Sequence, residues 1–109
     1  MKIVNATPHD VHFIKGDEKL TFPKSGIIPR VEQKTHRIES LILDGVEIPR
    51  QSQALGDLTG LPPVSDDVVY IVSLLVLEAG KKQGRTDLMA PNTVRDEKGN
   101  IIGCDGFNV

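Results

Sequence analysis

The sequence predicts an α+β fold, a mostly antiparallel β-sheet with one main helix and a C-terminal β-hairpin. The run Val68–Val72 is β-branched around one tyrosine and is dense enough in apolar residues for a central strand. Good helix formers follow Ser73. Near the C-terminus, Gly99 can adopt the positive φ of a tight turn between strands at Thr93–Asp96 and Asn100–Cys104. The chain has 109 residues, so residues 1–109 are expected to form a single domain.

The first quarter of the chain predicts a short antiparallel meander. Its strands are Lys2–Asn5, Val11–Ile14 and Leu20–Phe22. The step Thr7-Pro8 separates the first two, because the residue before a proline is restricted to extended geometry.

The middle of the chain predicts a hairpin followed by a loop. Asp44-Gly45 is a hairpin turn signal, with apolar residues on both sides. Ile27–Val31 predicts a strand that lies at a sheet edge or contains a bulge, because Pro29 has no backbone N–H to donate to a neighbouring strand. Arg50–Pro63 is polar and contains glycines and prolines, which predicts a long surface loop.

One helix is predicted after Ser73. Lys81 and Lys82 suit a final turn, and Gly84 suits the position just beyond it. The competing interpretation continues the preceding strand to Leu77.

Composition and charge exclude several classes of function. The formal net charge is −2, and no block of five like charges occurs, which argues against binding of long nucleic acids. Cys104 is the only cysteine, so an intrachain disulfide is impossible and a reducing compartment is expected. The longest apolar run, Val68–Leu77, is too short to cross a membrane, and the N-terminus lacks the apolar run of a signal peptide. We therefore expect a cytoplasmic protein, and no cofactor is implied.

The densest set of polar residues follows the predicted helix. Two guanidinium groups with carboxylates are what a nucleotide-sized ligand uses for its phosphates and ribose hydroxyls. The predicted ligand-binding residues of this set are Arg85, Asp87, Asn92, Arg95 and Asp96. Alternation along a strand puts Arg95 on the face opposite to Asn92 and Asp96. The five side chains therefore cannot all reach one site from a single strand. The alternative is that these residues form ion pairs on a solvated surface.

Ser73 and Phe107 complete the predicted site. A helix that begins after Ser73 presents a hydroxyl and free amides that attract phosphate or carboxylate, unless Ser73 only caps its own helix. Tyr70 or Phe107 could cover a base, or could pack in the core.

Residues with metal-binding or catalytic chemistry are sparse. Alternation puts Asp10 and His12 on one strand face and His9 on the other, so the three do not predict a metal site. No motif activates Cys104, and a lone cysteine beside Ile101 and Ile102 is typical of a small buried residue. No catalytic residue and no metal ligand is assigned.

Several motifs resemble a family of small proteins encoded by bacteriophages, prophages and related mobile elements. They are N-A-T-P-H-D at 5–10, G-L-P-P at 60–63, Y-I-V-S at 70–73, R-T-D-L at 85–88 and V-R-D-E-K-G-N-I-I-G-C at 94–104. The resemblance implies a viral accessory protein in the host cytoplasm. Phage proteins of this size include sponges that sequester nucleotide signals of host defence systems.

Three hypotheses of function remain open at this stage. The first is a homo-oligomeric, non-catalytic protein that sequesters a nucleotide-derived defence signal, such as a cyclic ADP-ribose derivative or a cyclic oligonucleotide. The second is a small phosphodiester or nucleotide hydrolase that uses Asp87 or Asp96 with a histidine. The third is a protein-binding inhibitor or a virion-associated structural protein.

Overall fold

A computed structural model describes residues Met1–Val109 and confirms the α+β class, with predominantly β structure and one short helix. The elements, in chain order, are β1 (Lys2–Asn5), β2 (Val11–Lys15), β3 (Glu18–Phe22), β4 (Arg30–Leu43), β5 (Val46–Thr59), β6 (Val68–Ile71), α1 (Leu74–Lys82), β7 (Leu88–Arg95) and β8 (Ile101–Asn108). Six strands form one sheet in the order β1-β6-β7-β8-β2-β3, and β4 pairs only with β5.

The six-stranded sheet is mixed. β2–β3 and β7–β8 are antiparallel, whereas β1–β6, β6–β7 and β2–β8 are parallel. The predicted meander is therefore correct for β2 and β3 and wrong for β1, which lies at the opposite edge beside β6. Pairing with β6 sets Val4 beside Tyr70, and both pack in the core. Because β6 lies more than 60 residues away in the sequence, no local pattern around β1 indicates this pairing.

The helix begins and ends as the sequence predicts. The Ser73 hydroxyl accepts a hydrogen bond from the Val76 amide at 3.3 Å, so Ser73 caps α1. At the C-terminus, the Arg85 amide donates to the Gly80 carbonyl, and the Gly84 amide donates to that of Lys81. Gly84 has φ +80°, which completes a Schellman motif.

β7 and β8 form a hairpin with longer strands than the sequence predicts. Its turn spans 96–100, and Gly99 there has φ +85°. Irregular pairing between Pro91 and Arg95 places extra residues on β8, while β7 remains regular. Pro91, Thr93 and Arg95 consequently alternate onto one face of β7.

β4 and β5 form a long arm, residues 30–59, with 14 residues in each strand. Its turn is at Asp44-Gly45, as predicted, with φ of +52° and +76°. The loop predicted at Arg50–Pro63 is wrong, because Arg50–Thr59 continues β5. Cross-strand pairing with β4 holds this polar segment extended, and polar composition alone does not reveal such pairing.

The core is small and lies where α1 packs on β7 and on the base of the arm. Its buried members are Ala6, Tyr70, Val72, Val76, Leu77, Leu88 and Ala90. Val31 and Leu58 join the base of the arm to this cluster. The single helix, with nine residues, is too short to cross a membrane.

Candidate functional site

An open cavity of about 210 Å³ lies between β2 and β8. The two strands share one registered pair, Phe13 with Cys104, and they diverge beside it. The cavity is lined by Asp10, Val11, His12, Pro91, Thr93, Ile101, Ile102, Gly103 and Cys104. Gly103 permits the close approach, because a Cβ atom there would lie 2.8 Å from the His12 carbonyl oxygen. We call this space the β2–β8 cavity.

A second cavity, of about 420 Å³, lies against the edge strand β1. Its lining is Lys2, Ile3, Val4, Asn5, Pro23, Ser25, Ile27, Val68 and Tyr70. Two of its polar side chains are occupied: the Asn5 amide nitrogen donates to two carbonyls, and the Ser25 hydroxyl donates to the Asn5 carbonyl at 2.6 Å. We call this space the β1 cavity.

Arg85 and Asp87 are paired with each other in the protein interior. Arg85 Nε and Nη2 donate to the two carboxylate oxygens at 2.9 and 2.8 Å, and the side chains are 16% and 8% exposed. Arg85 Nη1 donates to the Pro62 carbonyl at 3.1 Å. This bidentate pair fastens the segment after β5 to the start of β7. Ligand binding by these two residues stays a prediction, and their contacts assign them a structural role.

Arg95 and Asp96 lie at the turn of the C-terminal hairpin. Asp96 Oδ1 accepts from the backbone amides of Lys98 and Asn100, both at 2.9 Å. The hydrogen bond from the Asn100 amide is the main cause that lowers the pKa of Asp96. Arg95 is exposed, and its Nη1 donates to the Gly99 carbonyl at 2.7 Å. Asp96 therefore stabilises the turn, whereas Arg95 keeps most of its donors free.

The other three predicted site residues do not converge on a common site. Ser73 caps α1. Asn92 donates to an Asp105 carboxylate oxygen on the hairpin surface at 2.8 Å. Phe107 packs edge-to-face on Phe22, with ring centroids 6.3 Å apart.

The structure brings Arg85 together with Asp87, but it does not gather all seven predicted residues into one site, and none of them lines either cavity. Sequence analysis placed Thr93 in a strand but did not assign it to a binding site. It did place Asp10 and His12 on one strand face with His9 on the other, and both Asp10 and His12 line the β2–β8 cavity. No three His, Cys, Asp or Glu side chains lie close enough together to hold a metal ion.

Cys104 lines the β2–β8 cavity but is buried. Burial is the main cause that raises the pKa of its thiol above the usual value of a cysteine. We expect iodoacetamide at pH 8 to alkylate the folded protein at least tenfold more slowly than the protein in denaturant, measured by intact mass. Equal rates would show that the thiol is accessible and ionised.

The fold and the cavities thus define a β-rich α+β protein with an open, partly polar groove. No family model, curated protein or solved structure matches the chain.

Proposed function

We propose that this protein binds a nucleotide-derived ligand in the β2–β8 cavity and holds it without cleaving it. In the setting that the phage resemblance implies, the ligand is a host defence signal, a cyclic ADP-ribose derivative or a cyclic oligonucleotide. The protein would sequester this signal in the host cytoplasm.

The observation that carries the proposal is the lining of this cavity. Asp10, His12 and Thr93 line the cavity together with aliphatic residues, and the His12 imidazole shares a hydrogen bond with the Thr21 hydroxyl through Nδ1 at 3.1 Å, which leaves its Nε2 for a ligand. A few convergent polar groups on an apolar wall are typical of small-molecule sites. Asp10 accepts a hydrogen bond from the Lys24 amide through one oxygen, and its other oxygen can accept from a ribose hydroxyl.

Arg95 supplies the cation that a phosphate requires. It lies two residues beyond Thr93 on the same face of the regular strand β7. The only hydrogen bond of its guanidinium is to the Gly99 carbonyl in an exposed turn, so a change of rotamer can redirect this group toward the cavity. Arg95 is thus the one predicted site residue that the fold leaves both exposed and on the cavity face.

A hydrolase is the less favoured function. Asp87 is held by Arg85, and Asp96 is held by two turn amides, so neither carboxylate is positioned as a general base beside a histidine. The Cys104 thiol is buried, and its raised pKa favours the unreactive protonated form.

The volume of the cavity favours a homo-oligomer. About 210 Å³ is below the 300 to 1,000 Å³ of typical ligand sites, so one chain would enclose only part of a nucleotide. A second copy would cover the remainder.

Calorimetry with cyclic ADP-ribose and a cyclic dinucleotide, followed by heat release and mass spectrometry, tests the proposal. Binding with release of the intact nucleotide is the expected result. An altered product would instead indicate the hydrolase, and no binding of either nucleotide would overturn the proposal in favour of a protein partner.

Arg95→Gln tests the position of the site. Loss of a charge-assisted hydrogen bond to phosphate should weaken binding by about tenfold to hundredfold. Arg30→Gln is the matched control, because it removes the same charge from an exposed residue at the base of the arm that lines neither cavity. Equal Kd values for Arg95→Gln and the unmodified protein would remove Arg95 from the site.

A further inference from the structure

The chain is far from compact. Its radius of gyration is 18.1 Å, whereas a compact chain of this length has about 13 Å. Its accessible surface is 7882 Å², whereas a compact monomer of 11.9 kDa exposes about 6,000 Å². The excess of about 1,900 Å² exceeds the roughly 800 Å² that each partner contributes to an interface of ordinary size.

The arm accounts for much of this departure from a compact shape. At about 3.3 Å per residue its strands extend for about 45 Å, and only the base packs on the core. A two-stranded sheet without a covered face is marginally stable in water. A surface that covers the distal arm would therefore stabilise it.

One face of the distal arm carries a continuous aliphatic stripe. The cross-strand pairs Leu43 with Val46 and Leu41 with Ile48 lie two positions apart, so both project from the same face. The stripe continues to Ile38, which pairs with Arg50, because a bulge at 39–40 adds one residue to β4 and restores the alternation. These five aliphatic side chains are between 40% and 63% exposed.

The opposite face is mainly polar, with Ile42 as its exposed aliphatic exception. Arg37 pairs there with Gln51, and Thr35 pairs with Gln53. Alternation of this kind is typical of a strand pair with one covered face and one solvated face. The arm therefore has the pattern of a half-buried sheet while nothing in the single chain covers its apolar face.

We propose that two copies of this chain associate through their arms, with the two aliphatic stripes packed face to face and the arms antiparallel. The interface is isologous, with its two-fold axis near Leu41. It gives the proposed homo-oligomer a specific surface, and it does not depend on the identity of the ligand.

The distribution of charge along the arm favours a second copy in the antiparallel arrangement. Residues 39–49 at the tip carry Glu39, Asp44 and Glu47 and no lysine or arginine. Residues 33–38 and 50–54 carry no carboxylate and three cations, Lys34, Arg37 and Arg50, of which Lys34 and Arg50 lie on the face of the stripe. Antiparallel packing brings these two cations of each copy beside the turn of the other, where Asp44 lies, whereas parallel packing would oppose like charges.

Light scattering after gel filtration of the full chain tests the interface. The unmodified protein should have at least twice the monomer mass, and Leu41→Asp should raise the dissociation constant at least a hundredfold by opposing two buried carboxylates. Thr35→Asp is the matched control, since it adds the same charge to the solvated face. Leu41 is half exposed, so circular dichroism should show both variants folded.

A cross-linking experiment distinguishes a second copy from another partner. Under mild oxidation Leu41→Cys should form a covalent dimer at least tenfold faster than Thr35→Cys, while the buried Cys104 does not contribute. A monomeric unmodified protein would overturn both this interface and the proposed oligomer. An oligomer that survives Leu41→Asp, or equal cross-linking rates, would overturn the arm interface alone, and nucleotide binding measured separately would stand in either case.

Discussion

Asp87→Asn should lower the free energy of unfolding by about 3 kcal/mol. The substitution leaves the Arg85 guanidinium in a site where its side chain is only 16% exposed, and it removes the carboxylate that takes up two of its donors. Loss of one partner of a buried pair typically costs about 3 to 5 kcal/mol, because the remaining charge is uncompensated. The amide oxygen of asparagine recovers a part of this loss. Urea denaturation followed by circular dichroism measures the effect.

The same substitution at an exposed carboxylate is the control. Asp67 lies 3.2 Å from the N-terminal amine with 78% of its side chain exposed, so Asp67→Asn should change the free energy of unfolding by at most about 0.5 kcal/mol. The double variant Arg85→Met/Asp87→Leu removes both charges and should recover much of the stability lost in Asp87→Asn. Equal effects at Asp87 and Asp67 would contradict the structural role of the buried pair.

The elements that sequence analysis predicted correctly are those with local signals. Ser73 and Gly84 bound the helix because capping and positive φ are properties of single residues. Asp44-Gly45 and Gly99 mark their turns for the same reason. The segment Arg50–Thr59 was mistaken for a loop because its extended state depends on pairing with β4. Strand order is equally non-local, and the predicted meander failed at β1 for this reason.

The candidate site was harder to predict than the fold. The polar residues at 85–96 are close in sequence, but they bond to their own neighbours and do not form a ligand site. Arg85 and Asp87 form an internal ion pair, and Asp96 stabilises a turn. The β2–β8 cavity draws instead on Asp10, His12 and Thr93, which lie on segments about 80 residues apart and meet through the parallel pairing of β2 with β8. Alternation predicted which residues share a strand face, but it could not predict which strands are neighbours.

Asn5→Leu should destabilise the fold by about 3 kcal/mol, although sequence analysis placed Asn5 only at the end of a strand and at the start of a motif. The side chain is fully buried and joins three segments of the chain. Its Nδ2 donates to the carbonyls of His9 and Phe22, both at 2.8 Å, and its Oδ1 accepts from the Thr7 amide at 3.0 Å. Each group left without a partner costs about 1 to 3 kcal/mol where water cannot replace the lost hydrogen bond. Thermal unfolding should show a fall in Tm of about 12 °C.

Asn5→Asp separates hydrogen bonding from side-chain volume. Aspartate has nearly the same shape as asparagine but lacks the two Nδ2 hydrogens, so the oxygen that replaces Nδ2 would oppose the carbonyls of His9 and Phe22. We expect a loss at least as large as that of Asn5→Leu, because one carboxylate oxygen keeps the Thr7 amide as its donor but the other would be buried without any donor. Asn108→Leu, at an exposed position of β8, is the control and should change stability by at most about 0.5 kcal/mol. If Asn5→Asp unfolds at the same temperature as the unmodified protein, the Nδ2 donors do not hold β1 to the segments that follow it.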